Sequence, residues 1–482
     1  MTPQTLRQVL VGISLAISCI SDGFIFGQMS GMINGLQSKE STITLTSEDI
    51  SWIASIINIF SIIGFAVTGT ITDLLGRKKA MTVINSTVAA CWIFLYFAKN
   101  KTMLLLSRLI LGVCFGGGML LVFINIGEYI TPSIRPISIN LIVCVGCLIG
   151  TTLGHTLSVL FHWRYVALMD IIPSGLATIL PLFWVESPTW LASKGKFDKC
   201  EKAFRALHPL NKDTENELKL ILAYERKKQN ESSHGNSKFE AIKNLFMTLT
   251  KKYYWKIFGI CVISNIYRIA TCRILFSTLA ISMLQDITAS SDILLFTLVI
   301  DGLTTVAAVS SCAILVKFKI RDTLFVSGVI ANMCLIIFAL SLYLCPGNDF
   351  YLSWLKVLLM ALYFMIVTAG PYPVLDILMS EIYPPEMKSC LAAVTGSAAC
   401  ILQFICIKFA SSMISEMGYH GLFLSYATVI FLCLIYLWFY LPETKGRTLH
   451  EIEYFFKNGT FDYNKEAFNL NQTSNLLNDV KS

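Results

Sequence analysis

Apolar residues along the chain fall into twelve long runs, separated by shorter breaks that are polar or carry Gly and Pro. A helix needs about 20 mainly apolar residues to cross a bilayer, and the runs have about that length. The first run is too long for the apolar core of a secretory signal and lacks a cleavage pattern, so we interpret it as a retained span. The predicted spans are 9–33, 50–74, 80–98, 102–126, 137–161, 165–185, 255–285, 292–316, 323–345, 351–380, 390–415 and 419–441.

One break is much longer than the others and divides the runs into six plus six. It carries many Lys and Arg residues, and its pattern at 197–207 and 215–228 is typical of amphipathic helices. We therefore predict a six-helix bundle at 1–185, a charged central loop at 186–254, a second six-helix bundle at 255–441 and a tail at 442–482. After residue 461 the tail is polar and is predicted to be mobile.

The composition indicates lipid as the solvent for most of the surface. Charged residues make up 14% of the chain, whereas a soluble domain has about a quarter. The net charge of +7 comes from basic residues in a few loops, which suits an anionic membrane surface better than a nucleic acid. The 15 cysteines lie mostly inside apolar runs, where they act as small apolar side chains. Cys144 and Cys147 form a CxxC without a matching pair, so neither a metal site nor another cofactor is predicted.

Basic residues of the short loops collect on one side of the predicted membrane, and Lys99 and Lys101 are the exceptions. By the positive-inside rule this side is cytoplasmic and holds both termini. The residues are Arg7, Arg77, Lys78, Lys79, Arg135, Lys317, Lys319, Arg321, Lys388, Lys445 and Arg447. The sequence thus predicts an integral membrane protein in a lipid bilayer, with cytoplasmic termini.

The string GTITDLLGRKK at 69–79 ends the second span. Gly76 permits a tight turn, and we expect Asp73 and Arg77 to pair at the membrane surface, where partial desolvation strengthens their attraction. A plain basic anchor would not need Gly, Asp, Gly and Arg at this spacing. The string resembles the loop signature of the major facilitator superfamily.

Three further strings resemble the sugar porter family within that superfamily. ESPTWL at 186–191 follows the sixth span, PETKGRT at 442–448 follows the twelfth, and GPYP at 370–373 lies in the tenth. The resemblance covers about residues 23–455, and SWIAS at 51–55 is reminiscent of the trehalose and hexose facilitators.

This resemblance implies an all-α polytopic membrane protein with twelve transmembrane helices in two six-helix bundles, the major facilitator architecture. It also implies alternating access, in which the bundles rock about a central site. The expected activity is facilitated diffusion of a hexose or trehalose-like sugar across the plasma membrane, without an enzymatic step or a cofactor and with a monomer sufficient. A cytoplasmic gate of ion pairs is implied at Asp73, Arg77, Glu128, Arg135, Glu186, Glu381, Glu443 and Arg447.

The central sugar site departs from the family pattern. Tyr267, Arg268 and Arg273 replace seventh-span amides, Asp376 replaces a tenth-span Trp, Cys400 an eleventh-span Trp, and Thr151 a fifth-span Gln. The first-span acid of proton-coupled members is replaced by Met29, which favours facilitated diffusion. The substrate-binding set carried over by resemblance is Gln28, Thr151, Tyr267, Arg268, Arg273, Asp376, Cys400 and Gln403.

Charge at bilayer depth is costly unless it is paired or hydrated. We therefore expect an Arg273–Asp376 pair across the cavity, or, as the alternative, that both residues lie nearer helix ends and snorkel. Asp22 either binds a coupling proton or packs against another helix. His155 is a further candidate functional residue, to which the sequence gives no role. The glycines at 116–118 are predicted to permit close helix packing.

The altered site leaves two other functions open. The gained charges suit a transporter of a charged or amphipathic organic solute. A transport-inactive sugar sensor or receptor would also retain this scaffold.

Overall fold

The computed structural model describes residues 3–38, 43–131, 134–207, 252–290, 292–345, 349–383, 388–445 and 449–458, together with a few positions between 214 and 226 and at 347 and 447. The regular structure in these residues is helical throughout. The second amphipathic pattern, at 215–228, lies mostly outside the described residues, as does the polar tail after residue 461.

The N-terminal half contains α1 to α10, with two non-α segments. Their bounds are α1 Pro3–Gln37, α2 Ser47–Leu75, α3 Arg77–Tyr96, α4 Lys101–Tyr129, α5 Arg135–Ile139, a π-helix Asn140–Val145, α6 Gly146–Leu160, α7 Trp163–Met169, α8 Ile171–Ile179, a 3₁₀ helix Leu180–Phe183, α9 Pro188–Ser193 and α10 Phe197–Leu207. The helix predicted at 197–207 is thus confirmed as α10.

The C-terminal half contains α11 to α18. Their bounds are α11 Lys252–Ala270, α12 Arg273–Thr288, α13 Ile293–Lys317, α14 Ile320–Leu344, α15 Phe350–Ala369, α16 Pro371–Ile382, α17 Lys388–Tyr440 and α18 Leu449–Asn458.

Local signals in the sequence set several of these boundaries. Thr46 and Asp49 form a reciprocal capping box at the start of α2, and Asn100 accepts from the backbone N–H of Met103 at the start of α4. Gly76 turns between α2 and α3 with φ 88°, a conformation that favours glycine.

Eleven continuous helical runs of the described residues are long and apolar enough to span a membrane. One of them, Ala393–Tyr440, has twice the usual length. Gly418 has a non-helical backbone with φ 68° inside it and divides it into two spans. The twelve predicted spans are therefore confirmed, and the break predicted between 415 and 419 falls at this glycine.

Glycines allow the spans of the N-terminal half to touch backbone to backbone. A Cβ on Gly150 would lie 1.9 Å from the carbonyl oxygen of Ile20, so α1 and α6 pack without room for a side chain there. A Cβ on Gly116 would lie 2.2 Å from the carbonyl oxygen of Ser61 in α2. The packing role predicted for the glycine run in α4 is confirmed.

The spans form two bundles that meet along α1 with α12, α2 with α17, and α6 with α13. We call the end with the α2–α3 turn and α18 the terminal end, because both the first and the last described residues lie there. The other end, where α1 leads to α2 and α12 leads to α13, is the non-terminal end.

Two spans of the second bundle are broken inside the membrane. The seventh is divided between α11 and α12 at Cys272, which has a left-handed backbone with φ 58°. The tenth is divided between α15 and α16, and Pro371 begins the second piece. Helix ends inside a bundle expose backbone dipoles and bring side chains from both pieces to one place.

Candidate functional site

The two helix breaks bring four charged or aromatic side chains together. The Nη1 atom of Arg268, in the last turn of α11, lies 2.8 Å from Oδ1 of Asp376 in α16. The two side chains are 31% and 11% exposed, so this ion pair is partly screened from solvent. An ion pair of this kind neutralises the charges that the sequence places at bilayer depth.

Tyr372, in the first turn of α16, is contacted by both arginines. The guanidinium carbon of Arg268 lies 4.7 Å from its ring centroid and that of Arg273 lies 4.3 Å away. These distances are those of cation–π contacts. We call Arg268, Arg273, Tyr372 and Asp376 the central cluster. It carries two cations and one anion.

The first bundle reaches the central cluster through a π-helix. The Sγ of Cys144 lies 3.7 Å from Oδ2 of Asp376. In the same segment, Nδ2 of Asn140 donates to Oγ of Ser311 in α13 at 2.7 Å. Single-turn π-segments are rare and often occur at functional positions, and this one carries both contacts to the second bundle.

The predicted Arg273–Asp376 pair is wrong in this structure, because Asp376 pairs with Arg268. The reason is the break in the seventh span, which the sequence pattern did not show. Arg268 lies in the last turn of α11 and Arg273 begins α12, so the two side chains leave from different helices and both contact Tyr372. The alternative, in which Arg273 and Asp376 lie near outer helix ends and snorkel, is not supported either, because both belong to helices that begin at a break inside a span.

Other residues of the predicted substrate set lie elsewhere or at the edge of the cluster. Gln28 is buried and bonded to Arg108 and to the carbonyl of Trp163, and the hydroxyl of Thr151 donates to the carbonyl of Gly23 at 3.1 Å. Both side chains thus serve contacts within the first bundle. Tyr267 is buried with its hydroxyl near Gly328 of α14. Cys400 is partly buried on α17, and Gln403 is buried on the same helix.

Tyr372 and Cys144 are members of the site that the sequence did not assign. Tyr372 stands in the GPYP string at 370–373, which identified the tenth span but gave no role to its aromatic ring. In the sequence, Cys144 and Cys147 form only a CxxC pattern, which gave no indication that Cys144 contacts Asp376. Asp22 is buried beside α4, with one carboxylate oxygen 3.8 Å from where a Cβ on Gly118 would lie.

At the terminal end, Arg77 forms a two-point contact with Glu128. The distances are 2.8 Å from Nε to Oε2 and 2.7 Å from Nη2 to Oε1, the parallel geometry that makes Arg–carboxylate pairs specific. The predicted Asp73–Arg77 pair is therefore wrong here, and the Asp73 side chain is exposed. Gly76 turns the chain so that Arg77 begins α3 and faces α4.

Two carboxylates cap equivalent helices of the two bundles. Glu186 accepts from the backbone N–H of Arg77 at 2.9 Å at the start of α3. Glu443 accepts from the backbone N–H groups of Ile320 and Arg321 at 3.2 and 3.1 Å at the start of α14. A carboxylate at a helix N-terminus is stabilised by unpaired N–H groups and by the helix dipole.

The remaining predicted gate residues are less fully described. Arg135 donates to the carbonyl of Gly127 at 2.8 Å, at the end of α4. Glu381 lies in α16, with its side chain outside the described part, and Arg447 is exposed after a turn at Thr444. These contacts among the described gate residues join helix ends within one bundle.

Comparison with known proteins is consistent with this architecture. The profile of the family described as sugar (and other) transporter matches residues 5–456. Facilitated trehalose transporter Tret1 of Apis mellifera ligustica is 23% identical over 92% of this chain and 87% of its own length. The same-named protein of Drosophila virilis is 25% identical over 92% of this chain, and the chain spans about half, 48%, of that longer relative.

Solved structures share the fold. The proton:xylose symporter XylE bound to 6-bromo-6-deoxy-D-glucose superposes with a TM-score of 0.75 at 18% identity, over 94% of this chain and 100% of that one. The human organic anion transporter MFSD10 gives 0.59 at 12% identity, over 91% and 100%. Together with the twelve spans, these matches show that the chain is an integral membrane protein of major facilitator fold and belongs to the sugar (and other) transporter family.

Proposed function

We propose that this protein carries a hexose or trehalose-like sugar across the plasma membrane by facilitated diffusion, with its terminal end in the cytoplasm. The observation that supports this most directly is the family match over residues 5–456. The relatives named as facilitated trehalose transporters align over 92% of the chain. The positive-inside bias supports the orientation, and a single chain contains both bundles, so a monomer is sufficient.

In this mechanism the bundles rock about the central cluster. A sugar offers hydroxyls that accept from guanidinium groups and donate to a carboxylate, and one face of its ring can stack on an aromatic side chain. Arg268, Asp376 and Tyr372 supply these three kinds of contact. Rocking would separate Cys144 in the first bundle from Asp376 in the second, which would change the shape of the site as its access changes. Tyr267, Arg273, Cys400, Gln403, Gln28 and Thr151 complete the proposed substrate set.

The ion pair and caps at the terminal end are proposed to hold helix ends rigid while the bundles move. Arg77, Glu128 and Glu186 tie α3 to α4 and to the segment after the sixth span. Glu443 ties the segment after the twelfth span to α14. The proposed gate of Asp73, Arg135, Glu381 and Arg447 would then form between rigid units.

A second candidate substrate is an organic anion. Arg268 and Arg273 both contact Tyr372, whereas the central cluster contains one carboxylate, so it has one excess positive charge. A ligand carboxylate could neutralise this charge. Replacement of Arg273 by Gln removes the excess and should therefore weaken competition by an acid more than competition by a neutral sugar.

Uptake of labelled glucose and trehalose into proteoliposomes, with and without an inward proton gradient, tests the proposal. Facilitated diffusion predicts saturable uptake of at least one sugar that stops at equal concentrations on both sides, whatever the gradient. Competition by glucose and by glucuronate, in wild type and in Arg273→Gln, distinguishes the two substrate classes. Absence of saturable flux from monodisperse protein would contradict transport and favour the sensor alternative.

A further inference from the structure

A buried histidine joins the two bundles toward their non-terminal end. Nδ1 of His155 in α6 lies 2.7 Å from Oδ2 of Asp301 in α13, and Nε2 lies 2.8 Å from the backbone carbonyl oxygen of Ser277 in α12. The His155 and Asp301 side chains are 0% and 7% exposed. Nearby, the hydroxyl of Ser30 in α1 accepts from the backbone N–H of Ile281 at 2.9 Å, so the bundles are closed against each other at this level.

Both groups that face the imidazole ring are hydrogen-bond acceptors. A backbone carbonyl only accepts, and so does an ionised carboxylate, whereas a neutral imidazole carries one N–H. Neutral His155 beside ionised Asp301 would therefore place a nitrogen lone pair against an oxygen lone pair in a buried site. Leaving such groups unpaired is expensive at low dielectric.

One additional proton removes this conflict. It can sit on the ring as imidazolium or on Asp301 as the carboxylic acid, and in both forms each ring nitrogen has a proper partner. The pair is then neutral overall, which is the form that burial favours. The observed geometry thus requires the pair to hold one more proton than a neutral His and an ionised Asp would hold.

Other charged groups on helices packed against α6 make contacts away from the imidazole, including Asp286 of α12, which accepts from the hydroxyl of Tyr419. Asp22 of α1 faces α4, Arg273 at the start of α12 contacts Tyr372, and Arg164 of α7 lies over the ring of Trp163. Next to the imidazole, α12 presents the ring of Phe276, 6.2 Å between centroids. The carboxylate of α13 is therefore the charge in direct contact with this histidine.

We propose that His155 and Asp301 form a proton-binding latch between the bundles. The pair takes up one proton when the non-terminal end closes and releases it to the same side when that end opens and water reaches both groups. This inference rests on the rocking of the bundles that the proposed function requires. Because the proton enters and leaves by one end, the latch makes closure depend on pH without carrying protons across the membrane.

The direction of the pH dependence follows from the number of protons that the pair holds in the open and closed states. An imidazole in water has a pKa of about 6.5 and a carboxyl group in water one of about 3.9, so above pH 6.5 a hydrated, open pair lacks the additional proton. The ratio of closed to open protein then rises by up to about tenfold for each unit by which the pH is lowered toward 6.5. Below this value both states hold the proton and the dependence levels off.

Distance measurements on the full chain in lipid nanodiscs test the latch. Fluorophores attached through unnatural amino acids at Gln37 and Gln285, both exposed and on opposite bundles at the non-terminal end, report closure. In wild type the open fraction should rise between pH 6.5 and 8.5. In Asp301→Asn the amide N–H can donate to Nδ1 while Nε2–H donates to the carbonyl, so the latch should close without an additional proton and lose its pH dependence.

His162, at the same end and outside the pair, provides the control, and His162→Gln should keep the wild-type pH dependence. An Asp301→Asn protein with the wild-type slope would overturn the proposal. Addition of trehalose or glucose at fixed pH examines rocking separately. If the distance between the fluorophores in wild type responds to sugar and not to pH, the latch alone is overturned. If it responds to neither, the latch and the rocking mechanism are overturned together.

Discussion

Loss of the single carboxylate of the central cluster, Asp376, should lower stability and activity more than loss of Arg268. Asp376→Asn leaves Arg268 and Arg273 on the same tyrosine ring with no anion between the two helices. Arg268→Gln leaves one cation and one anion in the cluster. We therefore expect the Asp376 variant to be the less stable and the less active of the two.

The size of the effect follows from the geometry. Two unit charges about 4 Å apart attract by about 4 kcal/mol at an effective dielectric constant of about 20. Breaking a fully buried pair costs about 3–5 kcal/mol, and the 31% exposure of Arg268 reduces this. We expect about 2 kcal/mol for Asp376→Asn, which is about a 30-fold change in an equilibrium constant, and about half that energy for Arg268→Gln.

The assay is thermal stability of the purified protein in detergent, combined with initial uptake rates. The double variant Arg268→Gln/Asp376→Asn retains one cation and no anion, so it should be more stable than Asp376→Asn alone. Asp292→Asn, which removes an exposed carboxylate outside the cluster, should match wild type. If the double variant instead shows the sum of the two single losses, the charges do not interact and the reasoning is refuted.

Three further predictions concern helix ends and packing. Glu186→Gln and Glu443→Gln should each lower the thermal midpoint by an amount equivalent to about 0.5–2 kcal/mol, since each weakens a helix cap; unchanged midpoints would contradict the capping role. Gly150→Ala should prevent recovery of monodisperse protein because its methyl group would overlap the backbone of α1, whereas Gly175→Ala meets no atom within 4 Å and should behave as wild type in size-exclusion chromatography. Asp73→Asn should leave stability unchanged, because the side chain is exposed, and should lower turnover more than substrate affinity in uptake assays if it pairs in another state; equal turnover would remove it from the gate.

The spans were predictable because lipid imposes a simple rule on sequence. Each span must satisfy its backbone internally and present apolar side chains over a fixed thickness. Hydropathy therefore located all twelve, and the turn at Gly418 was found from its polar surroundings. The same rule is insensitive to a local break such as that at Cys272, because the residues on both sides of it remain apolar on average.

Because hydropathy does not reveal such a break, the sequence could not predict which charges pair with each other. The sequence indicated that Arg268, Arg273 and Asp376 needed either a partner or hydration inside the membrane. Choosing among partners requires the direction in which each side chain leaves its helix, and a break changes that direction for every residue beyond it. The Asp73–Arg77 prediction failed similarly, since residues four apart are neighbours only within one continuous helix, and Gly76 ends the helix between them.

The two carboxylate caps show why one half of an internal repeat can lose its sequence signature and keep its structure. In the first half the loop reads GRKK, and in the second the equivalent positions read KFKIRD at 317–322. Glu186 and Glu443 nevertheless bind the starts of α3 and α14 in the same way, because each accepts from backbone N–H groups. Every residue except proline carries such a donor, so the loop side chains could change without loss of the cap. The Arg77–Glu128 contact uses side chains at both ends and gives no such freedom, which explains why the signature is readable in the first half.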